Sequence, residues 1–150
     1  MDATTFSSLL RQRLATSGEV TFRAGGLSML PLIPPGARLH VVRLAADDPR
    51  PGRVYLFEHP RGLCAHRLVG ATPAGLVFRG DNAPAPETVP AAALVGRVDA
   101  LVVLGRSVPL SSPLLRAVAR TVGASLFLLR RTVPDRWRDR LGGSLRRHLE

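Results

Sequence analysis

The sequence predicts a mainly β domain with a short N-terminal helix and a helical, basic C-terminal extension. Three observations predict it. Short apolar or alternating runs recur between glycine- and proline-bearing turns from Val20 to Leu104, the mark of short antiparallel strands. The stretches whose apolar residues recur at helical spacing lie at the two ends of the chain. Finally, 150 residues of which 45% are apolar suffice for one domain with its own core, and are too few for a two-domain enzyme with long accessory regions.

From Thr5 to Thr16, Phe6, Leu9, Leu10, Arg13 and Leu14 fall at roughly helical spacing, and Ser17-Gly18 stops the pattern, so residues 1–19 form an N-terminal helical unit. A first strand follows at Val20 to Arg23, broken by Ala24-Gly25-Gly26, where backbone freedom is high. Pro34-Pro35-Gly36 turns the chain into a β-branched and apolar strand from Arg38 to Leu44. After the loop Asp47 to Gly52, the runs Arg53 to Glu58 and Leu63 to Val69 flank the turn His59-Pro60-Arg61-Gly62 and read as a hairpin. Gly70 to Gly75 reads as a turn, Leu76 to Arg79 as a brief strand, and Gly80 to Pro90 as a proline-rich irregular loop. Leu94 to Leu104 closes a β domain bounded at 20–105. Beyond it, Ser111-Ser112-Pro113 starts a helix with Leu115, Val118, Val122, Leu126 and Leu129 on one side. A second helix from Pro134-Asp135 aligns Trp137, Leu141, Leu145 and Leu149 amid arginines, which makes 106–150 an arginine-rich helical tail.

Composition excludes several chemistries. Lys and Arg total 21 against 11 Asp and Glu, a formal net charge of +10, yet the sequence contains no lysine. A Schiff base on a side-chain amine, a phosphate-loop lysine and a lysine general base are therefore all impossible. The lone cysteine, Cys64, can form no internal disulfide and no zinc-finger or iron–sulfur ligand set. Met1 to Phe6 lacks a secretory n-region, so the chain is expected to carry no signal. The longest uncharged stretch, Ala24 to Ala37, is too short for a bilayer span and holds three prolines. The arginine excess is weak evidence for nucleic acid, because the tail lacks a helix-turn-helix signature and interleaved aromatics.

Chemistry concentrates in Gly26-Leu27-Ser28-Met29-Leu30-Pro31, His66-Arg67 and Gly80-Asp81-Asn82. A serine in a glycine-flanked turn can present its hydroxyl beside its own backbone N–H, the pairing acyl transfer needs for a nucleophile and an oxyanion donor. A histidine on a neighbouring strand can take the hydroxyl proton, and an acid behind the imidazole would fix its tautomer. His40 and His59 are alternative bases, but their strand and turn settings suit surface histidines, so His66 is preferred. Cys64 and His66 share a strand face, but two ligands make a poor metal site, and Cys64 reads as a small hydrophobe. No cofactor and no metal are expected.

In order and spacing these elements resemble the signal peptidase I and LexA-type clan of serine peptidases over roughly Val20 to Val98. Ser28-Met29-x-Pro31 is similar to its nucleophile box, Gly36 and Pro51-Gly52 to two turns, and Gly80-Asp81-Asn82 with Leu94-Val95-Gly96-Arg97-Val98 to its closing box. Histidine at 66, where bacterial members carry lysine, resembles the SipW-like, archaeal and endoplasmic-reticulum branch, here without its membrane anchor. The resemblance implies a coiled antiparallel β fold and a Ser-His mechanism, with Ser28 as nucleophile, His66 as base and the Ser28 N–H as oxyanion donor. It puts the branch's later aspartate on Glu87, so Glu87 is the candidate supporting acid. Asp81 is read as structural, holding its own turn, with orientation of His66 as its alternative. The expected substrate is a peptide or protein precursor with small apolar residues at the cleavage site, bound as an added strand along Val20 to Arg23 and Leu63 to Val69. Gly36-Ala37 and Gly52-Arg53 replace the clan's Gly-Asp turns, and Gly26 stands where many signal peptidases carry an oxyanion-hole serine, which together motivate the alternative of an inactive peptide-binding scaffold on the same fold. Such a chain is expected in the cytoplasm or at the inner membrane face, with the tail as a membrane-peripheral contact; no specific nucleic acid is expected.

Overall fold

The computed structural model describes residues 3–60, 62–115, 117, 118 and 121. Helix α1 (Ala3–Ser17) precedes the strands β1 (Glu19–Arg23), β2 (Arg38–Val42), β3 (Val54–His59), β4 (Gly62–Thr72), β5 (Gly75–Arg79) and β6 (Glu87–Val89). A 3-10 turn at Ala91–Ala93 then leads into β7 (Leu94–Val103) and β8 (Arg106–Pro109). All form one antiparallel sheet in the order β1-β2-β7-β3-β4-β5-β6, with β8 beside the last residues of β7. The sheet curls into a half-barrel, so the mainly β architecture and the N-terminal helix are both present.

The centre of the sheet explains the curl. Val54, Tyr55, Leu56 and Phe57 are all buried, which is the continuous apolar run of a strand covered on both faces. Leu56 and Val54 join Leu39, Val41, Leu101 and Met29 in one core, while Tyr55 and Phe57 join Leu68, Phe78 and Leu94 in a second. Alternation of side chains along β3 therefore feeds two cores from one strand.

Helix α1 buries Ser7, Leu10 and Leu14, whereas Phe6, Leu9 and Arg13 lie on its exposed side. The Arg43 guanidinium donates to the Leu14 and Ala15 carbonyls at the helix C-terminus, where unsatisfied carbonyls and the helix dipole favour a cation. From the other side, Arg11 donates to the Leu94 and Ala92 carbonyls and to Glu58.

Three sequence-based expectations need correction. Gly70 to Gly75 is not one turn: β4 continues through a bulge between Leu68 and Gly70 to Thr72, and only Pro73 and Ala74 separate it from β5. The bulge leaves Val69 unpaired, and Gly70, which looked like a strand end, pairs with Val77. Within the supposed loop Gly80 to Pro90, Glu87–Val89 form β6 as an edge strand on β5, with Thr88 exposed between two inward residues. The sheet also runs past residue 105, since Arg106–Pro109 pair with Val103 to Ala100 in a hairpin that keeps Pro109 at an edge position. Residues 113–115, 117, 118 and 121 are helical, in agreement with the Ser112-Pro113 start, and the remaining tail expectations lie outside the described residues.

Candidate active site

The segment after β1 carries Ser28. Ala24 still pairs with the β2 side through Ala37, and Gly26 then takes φ 58°, a left-handed backbone that glycine adopts without steric cost. The chain tightens into a helix-like turn in which the Leu30 N–H donates to Leu27 and the Ile33 N–H donates to Met29. Met29 and Ile33 are buried in the first core, so this turn is fixed by packing. Ser28 sits at its start, and its N–H donates to no backbone acceptor among the described residues.

Across from it, β4 carries His66, opposite Tyr55 on β3. Its Nε2 lies 2.8 Å from Ser28 Oγ and its Nδ1 lies 2.5 Å from Glu87 Oε1. The ionised carboxylate only accepts, so Nδ1 is the protonated nitrogen and donates to Glu87. Nε2 is left free to accept from the Ser28 hydroxyl. The imidazole is 12% exposed and packs edge-on against Phe57 at 5.8 Å, which limits its rotation. Glu87 stands on β6 opposite Phe78, and the longer glutamate side chain spans the distance to β4.

The Gly80-Asp81-Asn82 loop holds the serine turn from below. The Asn82 N–H donates to the Ser28 carbonyl at 2.8 Å, and Asn82 Nδ2 donates to the Leu27 carbonyl at 3.1 Å. At Gly80 an added Cβ would lie 2.5 Å from the Ser28 carbonyl oxygen, so the close approach requires glycine. Asp81 neither contacts His66 nor holds its own turn by its side chain. It instead pairs through both oxygens with Arg67, at 2.8 and 2.7 Å, and Arg67 also donates to the Gly52 carbonyl. This pairing, which raises the Arg67 pKa first through the Asp81 hydrogen bonds, ties the loop to the strand that carries His66.

The other two histidines among the described residues, His40 and His59, have different partners. His40 pairs with Glu19 at 3.0 Å. His59 lies 3.6 Å from Glu87 Oε2, so Glu87 sits between two imidazoles. Neither this contact nor the Arg67–Asp81 pair was read from sequence, because both join residues brought together only by strand register. Asn82 was noticed within its motif, and its clamp on the serine turn had no sequence signal beyond that.

A cavity of about 230 Å³ opens beside Ser28, walled by Phe22 and Ala24 from the β1 side, Leu63 and Ala65 from β4, and Met29 and Leu56 from below. Cys64 and His66 border it too. A larger cavity of about 400 Å³ lies elsewhere, lined by Arg53, Arg67, Arg97 and Asp99, and each of its three guanidinium groups is already paired with a carboxylate.

Among the described residues, both strands beside the smaller cavity have unpaired edges. Within that set β1 pairs with β2 alone, and the Gly62 to His66 half of β4 with β3 alone. Leu68 exchanges backbone bonds with Gly52 and Arg53 on the β3 side, so by alternation Leu63 and Ala65 turn their N–H and C=O groups to the open side. Ala24 faces β2, so by the same alternation Arg23 and Thr21 face outward on β1.

No protein-family model, curated protein or solved structure matches this chain.

Proposed function

We propose that the chain is a serine endopeptidase of the signal peptidase and LexA-like type, using a Ser28–His66–Glu87 array. The observation that carries the reading is the continuous hydrogen-bonded line from the Ser28 hydroxyl through both ring nitrogens of His66 to Glu87, ending at an apolar cavity.

The mechanism follows from the donor and acceptor roles. Ser28 Oγ attacks the scissile carbonyl carbon as its proton passes to His66 Nε2, and Glu87 stabilises the imidazolium. The Ser28 N–H, which has no backbone acceptor among the described residues, donates to the developing oxyanion. Collapse of the tetrahedral intermediate breaks the C–N bond, and His66 protonates the departing amine. A water then attacks the acyl-enzyme with His66 again accepting the proton, releasing the acid and regenerating Ser28.

The substrate is a peptide or protein precursor that enters as an extended strand between the vacant edges of β1 and β4. Its side chain beside the scissile bond enters the cavity, whose apolar walls favour a small or medium apolar residue.

A serine-reactive phosphonate probe tests this. Mass spectrometry should find one adduct on Ser28, absent from Ser28→Ala. A native chain that stays unlabelled, or labels elsewhere, overturns the enzyme assignment and leaves a peptide-binding scaffold.

A further inference from the structure

We propose that the end of the sheet formed by the β7–β8 hairpin tip and the adjoining ends of β1 and β2 docks on an anionic lipid surface. This rests on residues of the sheet itself and is independent of the catalytic reading above.

Three features gather there, and the first two are unfavourable in water. The hairpin tip is Leu104-Gly105, with φ 50° and 76°, the two-residue geometry in which asparagine or aspartate ordinarily precedes glycine. Leucine instead occupies the left-handed position, where its Cβ is strained, and it is 98% exposed. Val103 beside it is 48% exposed, so the tip presents a short apolar prow.

The second feature is a row of cations beside the prow. Arg23 on β1 and Arg38 on β2 are directly opposite in the register, and Arg38 is in turn opposite Val102 on β7. Like charges placed opposite one another across strands repel. Third, Arg106 pairs with Val103 one position nearer the tip. All three arginines are exposed, and none has a carboxylate partner among the described residues. Arg23 makes only a 3.5 Å contact to the Gly36 carbonyl.

An anionic bilayer would engage all three at once. Leu104 and Val103 enter the boundary between headgroups and acyl chains, while the guanidinium groups meet lipid phosphates that also screen the Arg23–Arg38 repulsion. A nucleic acid would satisfy the arginines but offers nothing to an aliphatic tip that cannot stack.

The test uses the full chain, with vesicles of phosphatidylcholine alone or with added phosphatidylglycerol, read by co-sedimentation at low salt. Wild-type protein should sediment with the anionic vesicles only. Leu104→Gly should weaken the partition about tenfold and Arg38→Gln about fivefold. Both variants should melt at or above the wild-type temperature, since each removes strain or repulsion, which separates a docking role from a structural one. The proposal is overturned if wild-type protein ignores anionic vesicles. It is equally overturned if Leu104→Gly partitions within twofold of wild type, or weakens binding to a DNA duplex as much as binding to vesicles.

Discussion

Two carboxylates, Asp48 and Glu87, each organise a polar cluster, and the clusters differ in how they end. Asp48 has a fully buried side chain that accepts from Tyr55, Arg53, Arg97 and the Ala45 N–H, and the Tyr55 oxygen in turn accepts from the Arg50 N–H. Every group there is answered by another within the protein. Glu87 faces two imidazoles, and the line through His66 runs out to a hydroxyl at the wall of a cavity. A closed network spends its hydrogen bonds on holding a loop in place. An open one leaves an imidazole nitrogen next to a hydroxyl at the wall of a cavity.

The largest expected effect breaks the open network. His66→Ala should slow acylation of Ser28 by the phosphonate probe about 10⁴-fold, and Glu87→Gln about 10²- to 10⁴-fold, with thermal unfolding little changed. Equal labelling rates in all three proteins would mean that the array does no chemistry.

The converse experiment breaks the closed network. Asp48→Ala leaves Arg53, Arg97 and Tyr55 without their buried acceptor and should cost about 3–5 kcal/mol in urea unfolding. The labelling rate of the folded protein should stay within twofold of wild type. Burial works to raise the Asp48 pKa, but hydrogen bonds from Tyr55, Ala45 and Arg53 and the Arg97 charge outweigh it and hold it below the ordinary 3.8. Its contribution to stability is thus present above that value and lost as the pH falls through the lower folded-state pKa. Asp48→Asn should flatten that acid limb of the stability curve, and an unchanged limb would remove Asp48 as its source.

The smallest effect sharpens the boundary of the open network. His59 lies 3.6 Å from Glu87 and keeps 21% of its side chain in solvent, so His59→Asn should alter the labelling rate by less than about threefold at neutral pH. A tenfold loss would place His59 within the machinery.

Much of the fold was legible because its signals are local. The uninterrupted apolar run of β3, the alternation in β1 and the stop at Ser17-Gly18 each report on neighbours in sequence. β6 and β8 were hidden for a physical reason: three or four residues beside prolines carry too little periodicity, and both exist only because a longer strand offers them an edge. In the site, Ser28 and His66 were found through motif types and spacing, and Glu87 through the resemblance. The Arg67–Asp81 tie had no such trace. It arises from the antiparallel register that sets Arg67 opposite Arg79, one residue before the Gly80-Asp81 turn.

The vacant edges of β1 and β4 have a consequence for the protein in solution. An unpaired strand edge can template pairing with another extended strand, and a second copy of the chain offers several. Glu19 and Arg23, exposed at opposite ends of β1, set unlike charges along that edge, so a passing strand is admitted only in a register and direction its own charges tolerate. On the proposed peptidase reading, selectivity against self-association and selectivity for a guest strand draw on the same five residues.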